Sequence, residues 1–489
     1  MRTLIVVNEP GDWPLNIEGV DVVAARAYLT DPEYSGLKRA MVFNLCRSYR
    51  YQSTGYYVSL LAAARDHRRM PGMRVIQGMK SAPVIRQASE DMEALIQRNL
   101  KPLQSDHFVL SIYFGRNMAE RYNRLARQLF NIFRTPLLRA SFGRDAKGHW
   151  HLRRVTPMGA RDIPDNHRDF VIEAARAYFA HPRFNVSVRR RGRYDLAILH
   201  DPQDPMPPSD DRAMKKFVRA ARDTGLEPYL VEKEEYGRIA EYDALFIRET
   251  TAVQHYTFRF AQRAAAEGLV VIDDPRSILR CTNKVFLAEL LARHRVPAPR
   301  TVIVSRDTLA QLPGRMDFPL IIKQPDSSFS QGVVKVDNED ELWAQAARLL
   351  EASDLILAQE YTPTEFDWRV GVLDRRVLYV CRYFMAPRHW QIIKRDGRGR
   401  VTEGEADSIP VADAPHRLVD TALRAANLIG DGLYGVDLKE IRGRFYVIEI
   451  NDNPSIDAGY EDGVLGDELY REIMRTFVQR IEKAREDRK

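Results

Sequence analysis

Hydrophobic and polar residues follow both strand-like and helix-like periods over the first 190 residues of the chain. Short apolar runs at Leu4–Val7, Val20–Ala24 and Ala40–Cys46 are typical of buried strands. Apolar residues in Gly55–Asp66 recur at steps of three and four, which predicts a helix. The polar stretch Gly143–Gly148 separates two strand-like runs and predicts a hairpin. This mixture predicts an α/β or α+β region and does not identify its fold.

Strands alternate with helices in the next region, residues 191–280. The apolar run Tyr194–His200 predicts a strand, and Ala213–Gly225 and Gln254–Glu267 predict amphipathic helices. The basic tract Arg189–Arg193 before them is typical of a linker. Alternation over short connections is typical of a small, mainly parallel βαβ sheet.

Strands and helices come in groups in the last region. The strand-dense stretches Thr301–Val336 and Leu355–Phe384 precede a helix near His416–Leu428 and a hairpin over Tyr434–Asn451. Such grouping predicts two α+β lobes that enclose a cleft. We therefore predict three domains, with bounds 1–190, 191–280 and 281–489.

Composition narrows the class of protein. The chain has 489 residues and is 45% hydrophobic, but no apolar run approaches the ~20 residues that span a bilayer. The three cysteines, Cys46, Cys281 and Cys381, lie far apart, so we predict neither a disulfide framework nor a zinc site. The start lacks a signal-peptide pattern, which predicts a cytoplasmic protein. A net charge of +7 suits an anionic substrate as well as nucleic acid, so we do not favour nucleic acid.

The sharpest chemical pattern lies in the hairpin near the C-terminus. Asp437, Glu449 and Asn451 share the face opposite the apolar one, because side chains alternate with period two. An odd-length loop at Arg442–Arg444 pairs position 437 with 449, whereas a two-residue loop sets Asp437 opposite Ile448. We expect the odd loop. Two carboxylates and an amide oxygen on one patch form a site that suits Mg²⁺. The alternative is an ordinary surface hairpin.

A lysine follows an apolar strand in the second pattern. Lys323 lies at the end of Leu320–Ile322 and before the small, polar loop Asp326–Gly332. Such a loop can bring backbone N–H groups against phosphate oxygens, and a lysine adds a positive charge. A polar turn with a solvated lysine is the alternative.

Two charged residues two positions apart form the third pattern. Asp367 and Arg369 share one face of a predicted strand, and a guanidinium there can bind a carboxylate with two hydrogen bonds. We expect Arg382, on the next strand, to add charge on the same side. The stretch Gln359–Tyr361 ends a strand and can offer backbone groups to adenine. An intra-strand salt bridge and an ordinary strand end are the alternatives.

Two further segments are candidates for ligand binding. Arg248–Thr251 follows a strand at its carboxyl end, where open α/β sheets place ligands. Asn44–Tyr57 is dense in Arg, Tyr and Ser, and a helix N-terminus with nearby arginine can hold an anion. A structural loop is the favoured interpretation of the second segment.

Together these motifs resemble the ATP-grasp superfamily, and within it the RimK-like carboxylate–amine ligases, over roughly residues 192–485. The resemblance implies an ATP-grasp fold of two α+β lobes, preceded by a parallel pre-ATP-grasp domain and an N-terminal RimK-associated domain of uncertain role. It implies ATP and two Mg²⁺ ions as cofactors, with Mn²⁺ as an alternative ion. Asp437, Glu449 and Asn451 then match the family's metal ligands.

The resemblance also implies roles for other residues. Arg369, Lys323 and Arg382 are implied to act in catalysis. The residues implied to bind ATP are Lys284, Lys323, Ser328, Ser330, Gln331, Gly332, Gln359, Glu360, Tyr361 and Asp367.

The chain departs from the family in two places. The loop Asp326–Gly332 contains a single glycine, fewer than family loops have. The chain also lacks the Asn-x-His-Arg-Gly-Gly-type stretch of the RimK-like glutamate ligases. His389, Trp390 and Lys394 stand in that region and are candidates for a different acceptor pocket, so glutamate is not implied as the transferred amino acid.

The reaction that the resemblance implies joins a carboxylate to an amine. The carboxylate attacks the ATP γ-phosphate, and an amine then attacks the acyl phosphate to give an amide, ADP and phosphate. An amino acid, a peptide or a protein tail is the expected amine partner. A kinase-like phosphotransferase and a regulatory nucleotide-binding module without turnover are the alternatives. No membrane partner is expected, and a homo-oligomer stays open.

Overall fold

The structure is a computed structural model that describes residues 2–13, 17–37, 39–180, 193–204, 206–326, 332–387, 390–395 and 401–487. It divides into two compact units. The first comprises residues 1–190 with 236–241, and the second comprises 191–235 with 242–489. No helix in the described ranges is long and apolar enough to cross a membrane.

Two sheets organise the first unit. Its strands are β1 (Arg2–Val7), β2 (Val20–Ala24), β3 (Ala40–Asn44), β4 (Arg68–Met70), β5 (His107–Tyr113), β6 (Leu137–Arg144) and β7 (Trp150–Pro157). A parallel sheet has the order β2-β1-β3-β4, and an antiparallel sheet has the order β5-β6-β7. All of Leu4–Val7 and Ala40–Asn44 is buried, as in parallel strands covered on both faces.

Eight helices accompany these strands in the described part of the first unit. They are α1 (Ala25–Thr30), α2 (Pro32–Ser35), α3 (Thr54–Ala64), α4 (Met73–Gly78), α5 (Ala82–Asp91), α6 (Glu93–Leu100), α7 (Asn123–Ile132) and α8 (Arg168–Phe179). The segment Tyr236–Glu241 belongs to this unit although it lies within the predicted second domain. Its Glu241 is fully buried and accepts hydrogen bonds from Arg134 (2.8 Å) and from the Tyr178 hydroxyl.

The second unit begins with the predicted parallel sheet. Its strands are β8 (Tyr194–Leu199), β9 (Leu226–Val231), β10 (Ala244–Ile247) and β11 (Val270–Ile272), in the order β11-β10-β8-β9. The helices are α9 (Asp211–Asp223), α10 (Tyr256–Ala266) and α11 (Pro275–Thr282). Every residue of β8 is buried, which explains its continuous apolar run.

Two antiparallel sheets follow in the second unit. The strands β12 (Thr301–Val304), β13 (Leu320–Lys323), β14 (Val333–Val336) and β15 (Ile356–Glu360) have the order β12-β15-β13-β14. The larger sheet contains β16 (Phe366–Leu373), β17 (Arg376–Phe384), β20 (Ala406–Ile409), β21 (Leu433–Ile441) and β22 (Arg444–Asn451). Its order is β20-β17-β16-β21-β22, and β18 (Ile393–Arg395) pairs separately with β19 (Val401–Glu403).

Four helices complete this unit in the described residues. They are α12 (Lys284–Arg293), α13 (Glu339–Leu349), α14 (His416–Ile429) and α15 (Asp467–Glu486). The apolar face of α14 packs on the larger sheet through residues such as Leu418, Ala422 and Ala425. This packing buries one face of β21 and β22, so their other face carries the polar side chains of the site. The domain bounds at 190/191 and 280/281 stay predictions.

Candidate active site

A cavity of about 1130 Å³ in the second unit is lined by both antiparallel sheets. It collects most of the described residues that the sequence singled out. Its charged and amide lining includes Lys284, Lys323, Gln359, Asp367, Arg369, Asp437, Lys439, Glu449 and Asn451. The two α+β lobes predicted from the strand grouping therefore share one polar cleft.

The β21–β22 hairpin brings the three candidate metal ligands together. Asp437 lies directly opposite Glu449, and Asn451 lies two pairs further along, opposite Gly435. The expected odd-length loop is wrong: the turn has two residues, Arg442 and Gly443, with φ of 48° and 71°. A β-bulge instead restores the pairing, because Leu438 faces Val447 while Asp437 faces Glu449. Ile448 is the extra residue that shifts the register by one.

Cations of the protein neutralise both carboxylates. Arg369 donates two hydrogen bonds to Asp437, at 2.7 and 2.8 Å, and Asn451 Nδ2 donates a third at 3.0 Å. Lys284 Nζ lies 2.9 Å from Glu449 Oε1. Burial raises the pKa of Asp437 even though Arg369 opposes the shift. Burial also acts to raise the pKa of Glu449, but the positive charges of Lys284, Lys323 and Arg369 together outweigh it and the net pKa is lowered.

The donor set fits Mg²⁺ that is shared with a phosphorylated ligand. Two carboxylates and one amide supply hard oxygen ligands, which Mg²⁺ prefers. Among the described residues, no group of three or more His, Cys, Asp or Glu side chains forms a cage for a metal ion. Mg²⁺ commonly takes one or two carboxylates and completes its octahedron with phosphate oxygens and waters. This site therefore fits a nucleotide-bridged ion.

Lys323 lines the cleft and is held by a chain of two hydrogen bonds within its own sheet. Its Nζ donates to Gln359 Oε1 at 2.7 Å, and Gln359 Nε2 donates to Thr301 Oγ1 at 2.9 Å. Burial lowers the pKa of Lys323 to about 8, and the nearby positive charges of Lys284 and Lys439 act in the same direction. Glu449 opposes that shift. The lysine is thus held in place and carries its charge at neutral pH.

We expect kcat/KM for ATP to fall as the pH rises through about 8. Burial lowers the pKa of Lys323, so its ammonium is present below that pH and is lost above it. Only the charged form attracts phosphate, and kcat/KM reports groups of the free enzyme. A pH profile of initial rates measures this fall. The Lys323→Arg variant keeps its charge and should remove the fall; an unchanged fall in that variant would assign it to another group.

Asp367 is held by a lysine that the sequence analysis missed. Lys439 Nζ donates to Asp367 Oδ1 at 2.6 Å and to Thr364 Oγ1 at 2.7 Å. Thr364 Oγ1 also donates to the same carboxylate at 2.9 Å. The signal for Lys439 was present, because it stands two residues after Asp437 on one strand and so shares its face.

Arg382 does not reach the cleft, contrary to the sequence expectation. It pairs with Trp368 across β16 and β17, so it shares the face of that buried tryptophan. Arg369 pairs with Cys381 and therefore lies on the opposite face. The guanidinium of Arg382 instead bonds Asp407, with Nε 3.0 Å from Oδ1. The side chain of Arg382 therefore lies on the face of β17 opposite to the one expected from sequence.

The predicted phosphate loop and acceptor segment are described in part. Ser328, Ser330, Gln331 and His389 lie outside the described residues, as does the side chain of Lys394. Gly332 has φ of 68°, a backbone conformation that favours glycine, and its carbonyl accepts from Gln324 N at 2.9 Å.

The segment predicted to lie beside adenine reaches the same cavity. Glu360 and Tyr361 line it, and so does Trp390 from the candidate acceptor segment. The ring of Trp390 lies edge-on to Tyr361 at 6.1 Å between centroids. The structure therefore brings one of the three candidate acceptor residues next to the predicted adenine segment.

A second acidic group in the cavity was not found from sequence. Glu461 is 2% exposed and accepts hydrogen bonds from Asp457 N, at 2.7 Å, and from the Tyr383 hydroxyl. Burial raises the pKa of Glu461. Tyr383 also stacks under Arg369, whose guanidinium carbon is 4.9 Å from the ring centroid. Asp457 and Glu461 lie between β22 and α15, outside any strand or helix, so no period in the sequence marked them.

Arg248 follows strand β10, where a ligand was expected, but its side chain is buried inside the protein. It is fully buried and donates to Ser209 Oγ (2.8 Å), Asn453 Oδ1 (2.7 Å) and the Pro454 carbonyl (3.0 Å), and also to the Pro208 carbonyl. Thr250 and Thr251, which follow it, line the cavity as predicted for this segment. Arg248 therefore fixes the loop that leaves β22 after Asn451.

Two family models match the chain. Residues 25–174 match the RimK-like ATPgrasp N-terminal domain, and residues 281–473 match the RimK-like ATP-grasp domain. The chain is therefore a RimK-like ATP-grasp protein, and the predicted ATP-grasp fold and family are confirmed. Curated relatives of the chain are ligases, which supports an ATP-dependent ligase that forms C–N bonds.

Two curated relatives illustrate this class. The chain is 28% identical over 194 residues to the alpha-aminoadipate–LysW ligase LysX of Saccharolobus solfataricus, which covers 38% of the chain and 67% of that relative. It is 24% identical over 229 residues to the coenzyme gamma-F420-2:alpha-L-glutamate ligase of Methanocaldococcus jannaschii, covering 46% of the chain and 76% of the relative. The chain thus spans about two thirds of the length of the LysX relative.

Several solved structures have a similar fold. D-alanine–D-alanine ligase from Bacillus anthracis has a TM-score of 0.46 and 13% identity, over 60% of this chain and 100% of that one. The RimK domain protein ATP-grasp from Sphaerobacter thermophilus has a TM-score of 0.45 and 16% identity, over 57% and 98%.

Proposed function

We propose that this protein activates a carboxylate as an acyl phosphate with ATP and joins it to the amine of an amino acid, a peptide or a protein tail. The observation that carries the proposal is the facing pair Asp437 and Glu449 with Asn451, in a cleft that also contains Lys323 and Lys284. Paired carboxylates with cations beside them suit the charges of Mg²⁺ and triphosphate.

The residues of the cleft would share the work as follows. Lys323 and Lys284 would bind the ATP phosphates and spread the charge that develops on the transferred γ-phosphate. Asp437, Glu449 and Asn451 would hold two Mg²⁺ ions, with Mn²⁺ as a substitute; the bound ions would neutralise the phosphate oxygens. These roles are supported by the oxygen-bearing side chains of the three candidate ligands. They are also supported by the 2.9 Å contact between Lys284 Nζ and Glu449 Oε1, which neutralises Glu449.

Arg369 would position the reacting carboxylate. Its Nε and Nη2 are engaged by Asp437, whereas Nη1 has no hydrogen-bond partner within the described part of the chain. That N–H group could bind an oxygen of the carboxylate or of the acyl phosphate. In the first step a carboxylate oxygen bonds to the γ-phosphorus and ADP leaves. In the second step the amine bonds to the acyl carbon, phosphate leaves and the nitrogen loses a proton.

The amine substrate would enter beside the second acidic group. Asp457 and Glu461 line the same cavity as Arg369 and Tyr383. Buried carboxylates attract an ammonium group and can hold it near the activated carbon, and the nitrogen would lose one proton to water before it attacks as the neutral amine. The named relatives act on amino-acid substrates, and this supports an amino acid or peptide as one of the two substrates.

An isotope-transfer experiment tests the proposal. The protein is incubated with ATP, Mg²⁺, amines and a pool of amino acids and peptides whose carboxylates carry ¹⁸O, and products are analysed by mass spectrometry. We expect an amide, ADP and phosphate that carries one ¹⁸O atom, because the carboxylate oxygen leaves with the phosphate. Hydroxylamine should trap the intermediate as a hydroxamate.

The two alternatives give different products. A phosphotransferase would give a stable phosphorylated product and no labelled free phosphate. A regulatory module would bind ATP without releasing ADP. Either result would overturn the ligase proposal, and the Glu289→Gln variant, altered at an exposed position of α12, serves as the active control.

A further inference from the structure

The first unit contains a cavity of its own, of about 1150 Å³. Three parts of the unit line it: the loop Arg47–Arg50, the region from Ile76 through α5 to Glu93, and the strand β7 with its preceding turn. Its size exceeds the ~300–1000 Å³ that is usual for small-molecule sites. The cavity therefore has room for a ligand larger than a single metabolite.

Positive charge dominates the lining. Six arginine and lysine side chains line the cavity against three acidic ones: Arg47, Arg50, Lys80, Arg86, Arg153 and Arg154 against Glu90, Glu93 and Asp145. One of these acids, Asp145, is paired with His151 at 2.9 Å. Among the described residues Arg50, Arg86, Arg153 and Arg154 have no acidic partner. An excess of unpaired cations around one cavity attracts an anionic ligand.

The floor of the cavity is apolar. The side chains of Ile76, Met79, Ile85, Leu152 and Val155 line it and are buried in the core of the unit. The arginines of the lining are exposed residues on three separate elements, and they line the same cavity as these apolar side chains. A ligand that fits both parts carries several separated negative charges and apolar groups between them.

The loop that carries Arg47 and Arg50 is held in place by its neighbours. Arg47 N donates to Asn8 Oδ1 at 2.8 Å, and its guanidinium lies 2.7 Å from Asp12. A side chain at Gly159 would meet the Arg47 Cα at 2.8 Å, so this backbone packs tightly. This loop is therefore already ordered, so a ligand would not lose binding free energy by ordering it.

An edge strand borders the cavity. β7 is the edge strand of its sheet. On its outer side, Trp150 N donates a hydrogen bond to Gln97 Oε1 (3.1 Å) and Leu152 N donates one to Ser89 Oγ (2.9 Å). Residues 151–157 of β7 line the cavity, and so does Ser89. Backbone groups of an edge strand can pair with an extended peptide.

These features favour a peptide over other anions. A free phosphate or small carboxylate would occupy one cation and leave most of the cavity unfilled. Single-stranded nucleic acid binds by stacking its bases on exposed aromatic rings. The aromatic lining residue, Tyr49, is buried and its hydroxyl donates to the Asn44 carbonyl. The Asn44–Tyr57 segment contributes Arg47–Arg50 to the lining of this cavity.

We propose that this cavity binds an extended, carboxylate-rich peptide, whose acidic side chains meet Arg50, Arg86, Arg153 and Arg154 while its apolar side chains contact the floor. This site is separate from the ligase function proposed above and stands without it.

Binding of a defined peptide to the full chain tests the proposal. The probe is a fluorescein-labelled peptide of alternating Leu and Glu, measured by fluorescence anisotropy, with the Leu-Gln peptide as its neutral match. The test variant combines Arg86→Gln, Arg153→Gln and Arg154→Gln. The control variant combines Arg26→Gln, Arg98→Gln and Arg127→Gln, three exposed positions of the same unit outside the cavity. Both variants change the net charge equally.

We expect the Leu-Glu peptide to bind and the Leu-Gln peptide to bind far more weakly. The cavity variant should weaken binding about tenfold, since three charge contacts are lost together, and the control variant should have almost no effect. Equal weakening in both variants would overturn the proposal in favour of non-specific attraction. Full displacement by inorganic phosphate or by free glutamate at matched ionic strength would overturn it in favour of a small-anion site. Absence of binding would also overturn it.

Discussion

Replacing Glu449 with glutamine is expected to lower kcat for ADP release about a thousandfold while the protein stays folded. Glu449 faces Asp437 across the β21–β22 hairpin, and its carboxylate is one of the two that suit Mg²⁺. Glutamine keeps the shape but removes the negative charge, so the site loses most of its affinity for a divalent cation. Initial rates over a range of Mg²⁺ concentrations measure the effect.

Two comparisons make this prediction specific to the cleft. Glu289→Gln removes a carboxylate from the exposed side of α12 and should retain the wild-type rate. The melting temperature of Glu449→Gln should stay close to that of the wild type, which separates lost chemistry from lost fold. A Glu449→Gln protein with the wild-type rate and the same Mg²⁺ dependence would contradict the assignment of Glu449 as a metal ligand.

Replacing Arg248 with methionine is expected to lower the free energy of unfolding by about 3 kcal/mol. Arg248 is fully buried and donates to Ser209, Asn453, Pro454 and the Pro208 carbonyl. Methionine fills similar space but donates nothing, so these acceptors would lose their donors inside the protein. Urea unfolding of wild type and variant measures the loss.

The effect should also reach the site, because Asn453 and Pro454 lie two and three residues after the candidate ligand Asn451. We expect a higher KM for ATP in Arg248→Met even under conditions where the variant is folded. Arg259→Met, at an exposed position of α10, is the matched control and should change the unfolding free energy by less than ~0.5 kcal/mol. Equal stability of the two variants would show that the buried hydrogen bonds of Arg248 contribute little.

Local periodicity was sufficient to predict much of the ATP-grasp region. Alternation along β21 and β22 placed Asp437, Glu449 and Asn451 on one face, and the structure brings them together. The reason for their alignment was not predictable, because the two-residue turn alone would set Asp437 opposite Ile448, and the bulge that corrects this register leaves no mark in the alternation of side chains. Lys439 could have been found by the same alternation that identified Asp437.

Features that depend on contacts between distant segments could not be predicted. The side of β17 that Arg382 occupies follows from its register with β16, which one strand pattern does not reveal. Arg248 meets Asn453, 205 positions away in sequence. The cavity of the first unit joins Arg50, Arg86 and Arg154 from a loop, a helix and a strand. Only the fold of that unit brings them to one surface.

The most direct test of the account is a crystal structure of the protein with a non-hydrolysable ATP analogue and Mn²⁺, located by its anomalous signal. We predict metal peaks coordinated by Asp437, Glu449 and Asn451 together with phosphate oxygens, and Lys323 Nζ within hydrogen-bond distance of a phosphate. Phosphates bound elsewhere in the protein, or these three side chains still engaged only by Arg369 and Lys284 beside the bound nucleotide, would contradict it.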